Sequence, residues 1–156
     1  MVRTRSRQEK AVESALHGLG IPCWLPLVER LRVYRRSKRR VQMPLFGGYV
    51  FARGTREQAW LGASSDRVAG LIEVCDQARL HRELSDLRRA LEIERSLDVY
   101  PYLMEGVHVR VSSGALKGVE GIVDSRLGPE RLVMRIHTLG QSTCLEIDPS
   151  LLEPVG

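Results

Sequence analysis

The chain has 156 residues, 43% of them apolar and 28% charged, which is a globular composition rather than a disordered one. No apolar run approaches the roughly 18 residues of a membrane span, and MVRTRSRQEK lacks the apolar stretch of a secretory signal, so membrane and exported classes are set aside and a cytoplasmic setting is expected. The net charge of +5 is unevenly spread: residues 1–75 carry 14 Lys/Arg against 6 Asp/Glu and residues 76–156 carry 10 against 13, so a polyanionic partner would meet the N-terminal half first.

Ser6-Arg7-Gln8-Glu9 matches a capping box, and Val12, Ala15, Leu16 and Leu19 recur at helical spacing. They predict a helix over about 7–18, stopped by Gly18 and Gly20. CWLPLVERLRVY follows as a strand, with Pro26 implying an edge or a bulge. Seven of the eleven residues from Arg30 to Arg40 are Arg or Lys. RRSKRR is read as a hairpin tip, because VQMPLFGGYVFA resumes the strand texture. Thr55-Arg56-Glu57-Gln58 is a second capping box that opens a short helix through Trp60, and GLIEV is a short strand.

From Ala78 the texture changes. Leu80, Leu84, Leu87 and Leu91 form a stripe that predicts an amphipathic helix over about 78–97, ended by Tyr100-Pro101. VHVRV, VEGIVDS, RLVMRI, STCLEI and SLLEPV are five short strands, separated by the turns SSGALKG, RLGPE and TLGQ. Short strands with regular turns suggest a small antiparallel barrel. The expectation is an α+β chain: residues 1–98 as an antiparallel sheet with flanking helices, 99–105 as a linker, and 106–156 as the barrel.

Catalytic chemistry is poorly represented. Cys23, Cys75 and Cys144 form no C-x-x-C pair and the four histidines do not cluster with them, so no metal site or disulfide framework is expected. There is no G-x-x-x-x-G-K-[ST] phosphate cradle and no G-x-S-x-G elbow. An enzyme is disfavoured and no cofactor is expected.

GVHVRVSSGALKGVEGIV, from Gly106 to Val123, resembles a KOW motif, the small SH3-like barrel of transcription elongation factors and some ribosomal proteins. In its pattern Gly114 and Gly118 bracket a tight loop, and Gly121 sits inside a strand where a bulge or bend is expected. Upstream, SRQEKAVESAL, IPCWLPLVERLRV, PLFGGYVF and AWLGASSDRVAGLIEV resemble the N-terminal (NGN) domain of NusG proteins, so the resemblance covers nearly the whole chain. LRRALEIERSLDVYPYLMEG is similar to the specialised RfaH- and UpxY-like paralogs. Three positions depart from the family pattern. Only Met1-Val2-Arg3-Thr4 stands for the usual aromatic first strand, which implies either a start upstream or a sheet without its middle strand. Gly47 replaces a Pro, and Arg67 replaces a Gly in ASSDRV.

The resemblance implies a transcription elongation factor that binds RNA polymerase and modulates pausing, termination or antitermination. It puts Tyr49 and Phe51 on an apolar face that docks the polymerase clamp helices, with Pro44, Leu45 and Phe46 shaping the approach. Ser64 and Ser65 would meet the opposite rim of the polymerase cleft. Arg35, Arg36, Lys38, Arg39 and Arg40 would reach upstream or non-template DNA, touching its backbone without reading sequence. The barrel, with its turn glycines Gly106, Gly114, Gly118 and Gly121, would recruit a termination factor or a ribosomal protein. A monomer is expected. The alternative is a KOW-type RNA-binding protein at the ribosome. Against it, residues 106–156 hold 5 Lys/Arg and 6 Asp/Glu, a balance that suits a protein partner.

Overall fold

The computed structural model describes residues 1–34, 37–101, 106–123, 131–136 and 139–155, with the backbone alone at 34, 98–101, 135 and 136. The chain divides into two units, Met1–Cys75 and Asp76–Gly156.

The first unit runs β1 (Val2–Thr4), α1 (Glu9–Gly18), β2 (Cys23–Trp24), β3 (Leu27–Tyr34), β4 (Ser37–Pro44), β5 (Tyr49–Ala52), α2 (Arg56–Ala63) and β6 (Val68–Leu71). Four strands form an antiparallel sheet in the order β2-β5-β1-β6. Of the two alternatives drawn from the short N-terminal strand, a sheet without its middle strand does not hold: three residues supply it. Val2 lies opposite Val50 on one side and Leu71 on the other, so the backbone groups of β5 and β6 are paired through β1. Beneath this sheet Val2, Val12, Leu16, Ile21, Leu25 and Val50 form the core. α2 closes on α1 at Gly62, where a Cβ would come 2.6 Å from Leu16 Cδ2.

The two capping boxes have different outcomes. At α2 the box forms, with Thr55 Oγ1 accepting from the Gln58 amide at 3.2 Å and Gln58 Oε1 accepting from the Thr55 amide at 2.9 Å. At α1 it does not: the N-cap is Gln8, with no side-chain cap. Arg7 is held at φ 60, and the buried Glu9 carboxylate instead accepts the Gly48 amide at 2.7 Å. A buried carboxylate needs a donor, and the turn before β5 provides one.

Pro26 does more than mark an edge. It separates β2, which pairs with β5, from β3, which pairs only with β4. β3 and β4 thus form a separate two-stranded ribbon, in register from Leu27↔Pro44 to Tyr34↔Ser37.

The second unit contains α3 (Gln77–Ile93), β7 (Asp98–Pro101), β8 (Val107–Val111), β9 (Glu120–Val123), β10 (Arg131–Ile136), β11 (Gln141–Glu146) and β12 (Leu152–Pro154), the last preceded by a 3-10 turn at Pro149–Leu151. The strands form one antiparallel sheet, β12-β8-β9-β10-β11-β7. No closed barrel is found among the described residues, and the RLGPE turn lies outside them. Two boundaries differ from the sequence reading. α3 belongs to this unit, because its stripe, with Leu87 and Ala90 fully buried, packs against β10. Residues 99–101, read as linker, pair with Gln141–Thr143 at the sheet edge, where a proline is tolerated.

Candidate docking and nucleic-acid interface

Alternation along β5 divides the first sheet into two faces. Val50, with Val2, joins the core under α1. Tyr49 and Phe51 point the other way, Tyr49 opposite Arg3 and Phe51 opposite Trp24. Phe51 is only 4% exposed. Its ring lies 6.5 Å from Trp24 at 33° and 6.3 Å from Phe46 at 85°, an edge-to-face contact. Phe46 is buried as well, as is Leu45, whose amide donates to the Pro26 carbonyl at 2.8 Å. Pro44 is half-buried at the end of the ribbon, opposite Leu27.

Of the five apolar residues expected at a docking face, Leu45, Phe46 and Phe51 are therefore core, while Pro44 and Tyr49 keep partial exposure. Trp24, half-buried beside Phe51, belongs to the same face and was given no role from sequence. Ser64 and Ser65 sit at the turn from α2 to β6, at the sheet edge opposite β2. Ser64 Oγ donates to the Leu61 carbonyl at 2.7 Å, and Ser65 Oγ accepts the Arg67 amide at 3.3 Å, so both hydroxyls hold the turn.

The basic cluster is not confined to a loop. Arg35 and Arg36 lie outside the described residues, but Lys38, Arg39 and Arg40 are exposed residues within β4. Arg39 faces Arg32 directly across the ribbon. Like charges in that position destabilise a strand pair. Arg40, 81% exposed at its side chain, has Nη1 3.6 Å from Glu29 Oε2. Exposed ion pairs of this kind contribute little. Leu31 and Val33 are exposed on the same ribbon, at 59% and 65%.

In the second unit the motif glycines have distinct causes. Gly114 and Gly118 adopt φ 81 and 85, in the left-handed region. Gly106 and Gly121 permit close backbone approach: a Cβ would lie 2.5 Å from the Val123 oxygen at the first and 2.5 Å from the Val133 oxygen at the second. Arg89 Nη2 holds the intervening loop by donating to the Ala115 and Lys117 carbonyls at 2.9 and 2.8 Å.

Cys23 Sγ is 3.6 Å from His17 Nδ1, the one thiol–imidazole pairing among the hydrogen bonds of the described residues. Burial pushes the Cys23 thiol up from its ordinary pKa and the Glu13 charge adds to this, so the pair lacks the depressed thiol of a nucleophile. Among the described residues no group of three or more His, Cys, Asp or Glu is placed to hold a metal, and no helix is long and apolar enough to cross a membrane.

No curated protein matches the chain. A family model described as transcription termination factor NusG matches residues 1–87. That span takes in the whole first unit, with its Tyr49 face and its basic ribbon, and the first part of α3. It exceeds half of the 156 residues, and the chain belongs to the NusG family of transcription factors.

Proposed function

We propose that this transcription elongation factor docks RNA polymerase through the Tyr49 face of its first sheet and rests its β3–β4 ribbon on nucleic acid. The observation that carries the reading is the coincidence of the family match with a sheet face that holds both an aromatic cluster and a partly exposed tyrosine. Tyrosine is enriched at binding hot spots because it offers a large rigid contact at small entropic cost. RNA polymerase is the partner that the family suggests; in this reading its clamp helices take the Tyr49 face, with Pro44 at the margin and Ser64 and Ser65 at a second contact. The second unit is a KOW-like module with a protein partner, a termination factor or a ribosomal protein. The family match lends nothing to the alternative of an RNA-binding protein at the ribosome.

The test is binding of the full chain to core RNA polymerase, wild type beside Tyr49→Ala. Loss of a hot-spot tyrosine costs at least about 2 kcal/mol, so affinity should fall roughly 30-fold with the circular dichroism spectrum unchanged. Equal affinity of the two proteins would remove Tyr49 from the interface. Wild-type protein that does not bind would overturn the docking itself.

A further inference from the structure

The ribbon carries charge on both faces. Cross-strand partners share a face, so Leu31, Val33, Lys38 and Arg40 lie on one side and Arg30, Arg32 and Arg39 on the other. The ribbon pairs with neither main sheet, and Leu31, Arg32, Val33, Lys38, Arg39 and Arg40 are all exposed.

A ribbon lying along a single phosphate backbone needs cations on one face only. Cations on both faces, including the unfavourable Arg32–Arg39 pair, match a ligand with phosphates on two sides of the ribbon. The major groove of B-DNA, about 12 Å wide and about 8.5 Å deep, admits a two-stranded ribbon, whereas the minor groove, about 6 Å wide, does not. Proteins that hold single strands rely on aromatic platforms for the bases. Between Leu27 and Pro44 the sequence has one aromatic residue, Tyr34. The exposed Leu31 and Val33 also suit a groove, where base edges include the thymine methyl group.

We infer that the ribbon enters the major groove of duplex DNA, with Lys38 and Arg40 against one backbone and Arg32 and Arg39 against the other. This rests on the nucleic-acid role proposed for the same ribbon and narrows its ligand to a duplex.

Fluorescence anisotropy with the full chain tests it, using a 20-base-pair DNA duplex (about two helical turns), the same DNA as a single strand, and an RNA duplex of that sequence. Two double variants, Lys38→Thr/Arg40→Thr and Arg32→Thr/Arg39→Thr, each remove the two cations assigned to one backbone. The DNA duplex should bind at least about tenfold tighter than the other two. Each variant should lower the slope of log affinity against log salt by about 1.8, two phosphates at about 0.9 each. Arg32→Lys/Arg39→Lys should keep the slope. A change confined to one face, or a single strand bound as tightly as the duplex, overturns groove insertion but leaves a backbone contact. An RNA duplex bound as well as DNA also overturns it, because the A-form major groove is too narrow for side chains to read. Unchanged slopes in both variants overturn the insertion and the nucleic-acid role together.

Discussion

Tyr49 and Phe51 stand two residues apart on the same side of β5, and their surroundings differ. Phe51 is enclosed by Trp24 and Phe46, whereas Tyr49 is half-exposed opposite Arg3. Phe51→Ala should therefore cost stability, about 3–5 kcal/mol as for other buried aromatic truncations. Tyr49→Ala should cost clearly less. Urea denaturation of the two variants beside wild type checks this, and equal losses would mean that Tyr49 is a core residue too. The side of the strand could be read from period-two alternation. The enclosure could not, because Trp24 comes from β2 and Phe46 from a turn, and only the sheet order places β2 next to β5. Glu9 shows the same limit. Its spacing from Ser6 fits a capping box, yet its carboxylate is taken by the Gly48 amide, 39 positions along the chain.

Elements were legible where one periodicity ran unbroken. The leucine stripe located α3, RLVMRI coincides with β10, and Thr55 with Gln58 marked the start of α2. Elements defined by a partner were not. β7 owes its place to pairing with β11, and β1 is a strand at three residues because it has neighbours on both sides. The same holds for Lys38, Arg39 and Arg40, which read as part of a hairpin tip between two strand textures and are strand by register with β3. Against its own sheet, α3 offers a test by pH. Burial pushes the Asp86 carboxyl above its ordinary value; the Arg89 charge opposes this, the Glu120 charge adds to it, and a hydrogen bond from the Glu120 backbone opposes it again. Folded Asp86 thus holds its proton more tightly than the unfolded chain does, and its contribution to stability grows as pH falls through the raised folded value toward about 3.9. Asp86→Asn should melt above wild type at pH 7, with the gap closing as the pH approaches that ordinary value. Calorimetry at the two ends of the range would show this, and a variant that melts lower at neutral pH would mean that the Arg89 pairing outweighs burial.

At the scale of the molecule, each unit has its own core, Val2 to Val50 in the first and the Ile122, Val133 and Cys144 cluster in the second. Both tryptophans, Trp24 and Trp60, belong to the first unit. Tryptophan emission should therefore follow the first unit alone, while far-ultraviolet dichroism follows both. Gly121→Ala drives a Cβ to 2.5 Å from the Val133 oxygen and should destabilise the second unit. Its dichroism midpoint in guanidinium should fall while the emission midpoint stays put; a joint shift would mean that the two units unfold as one. The inner position of β1 also has a consequence for the order of events in the cell. Val2 is synthesised well before its partners, Val50 and Leu71. At roughly 5–20 residues per second, Leu71 is synthesised about 3–14 seconds after Val2. For that interval the nascent segment has no complete sheet to join, so whatever shields Val2 and its neighbours during synthesis governs how much of the chain reaches the folded state.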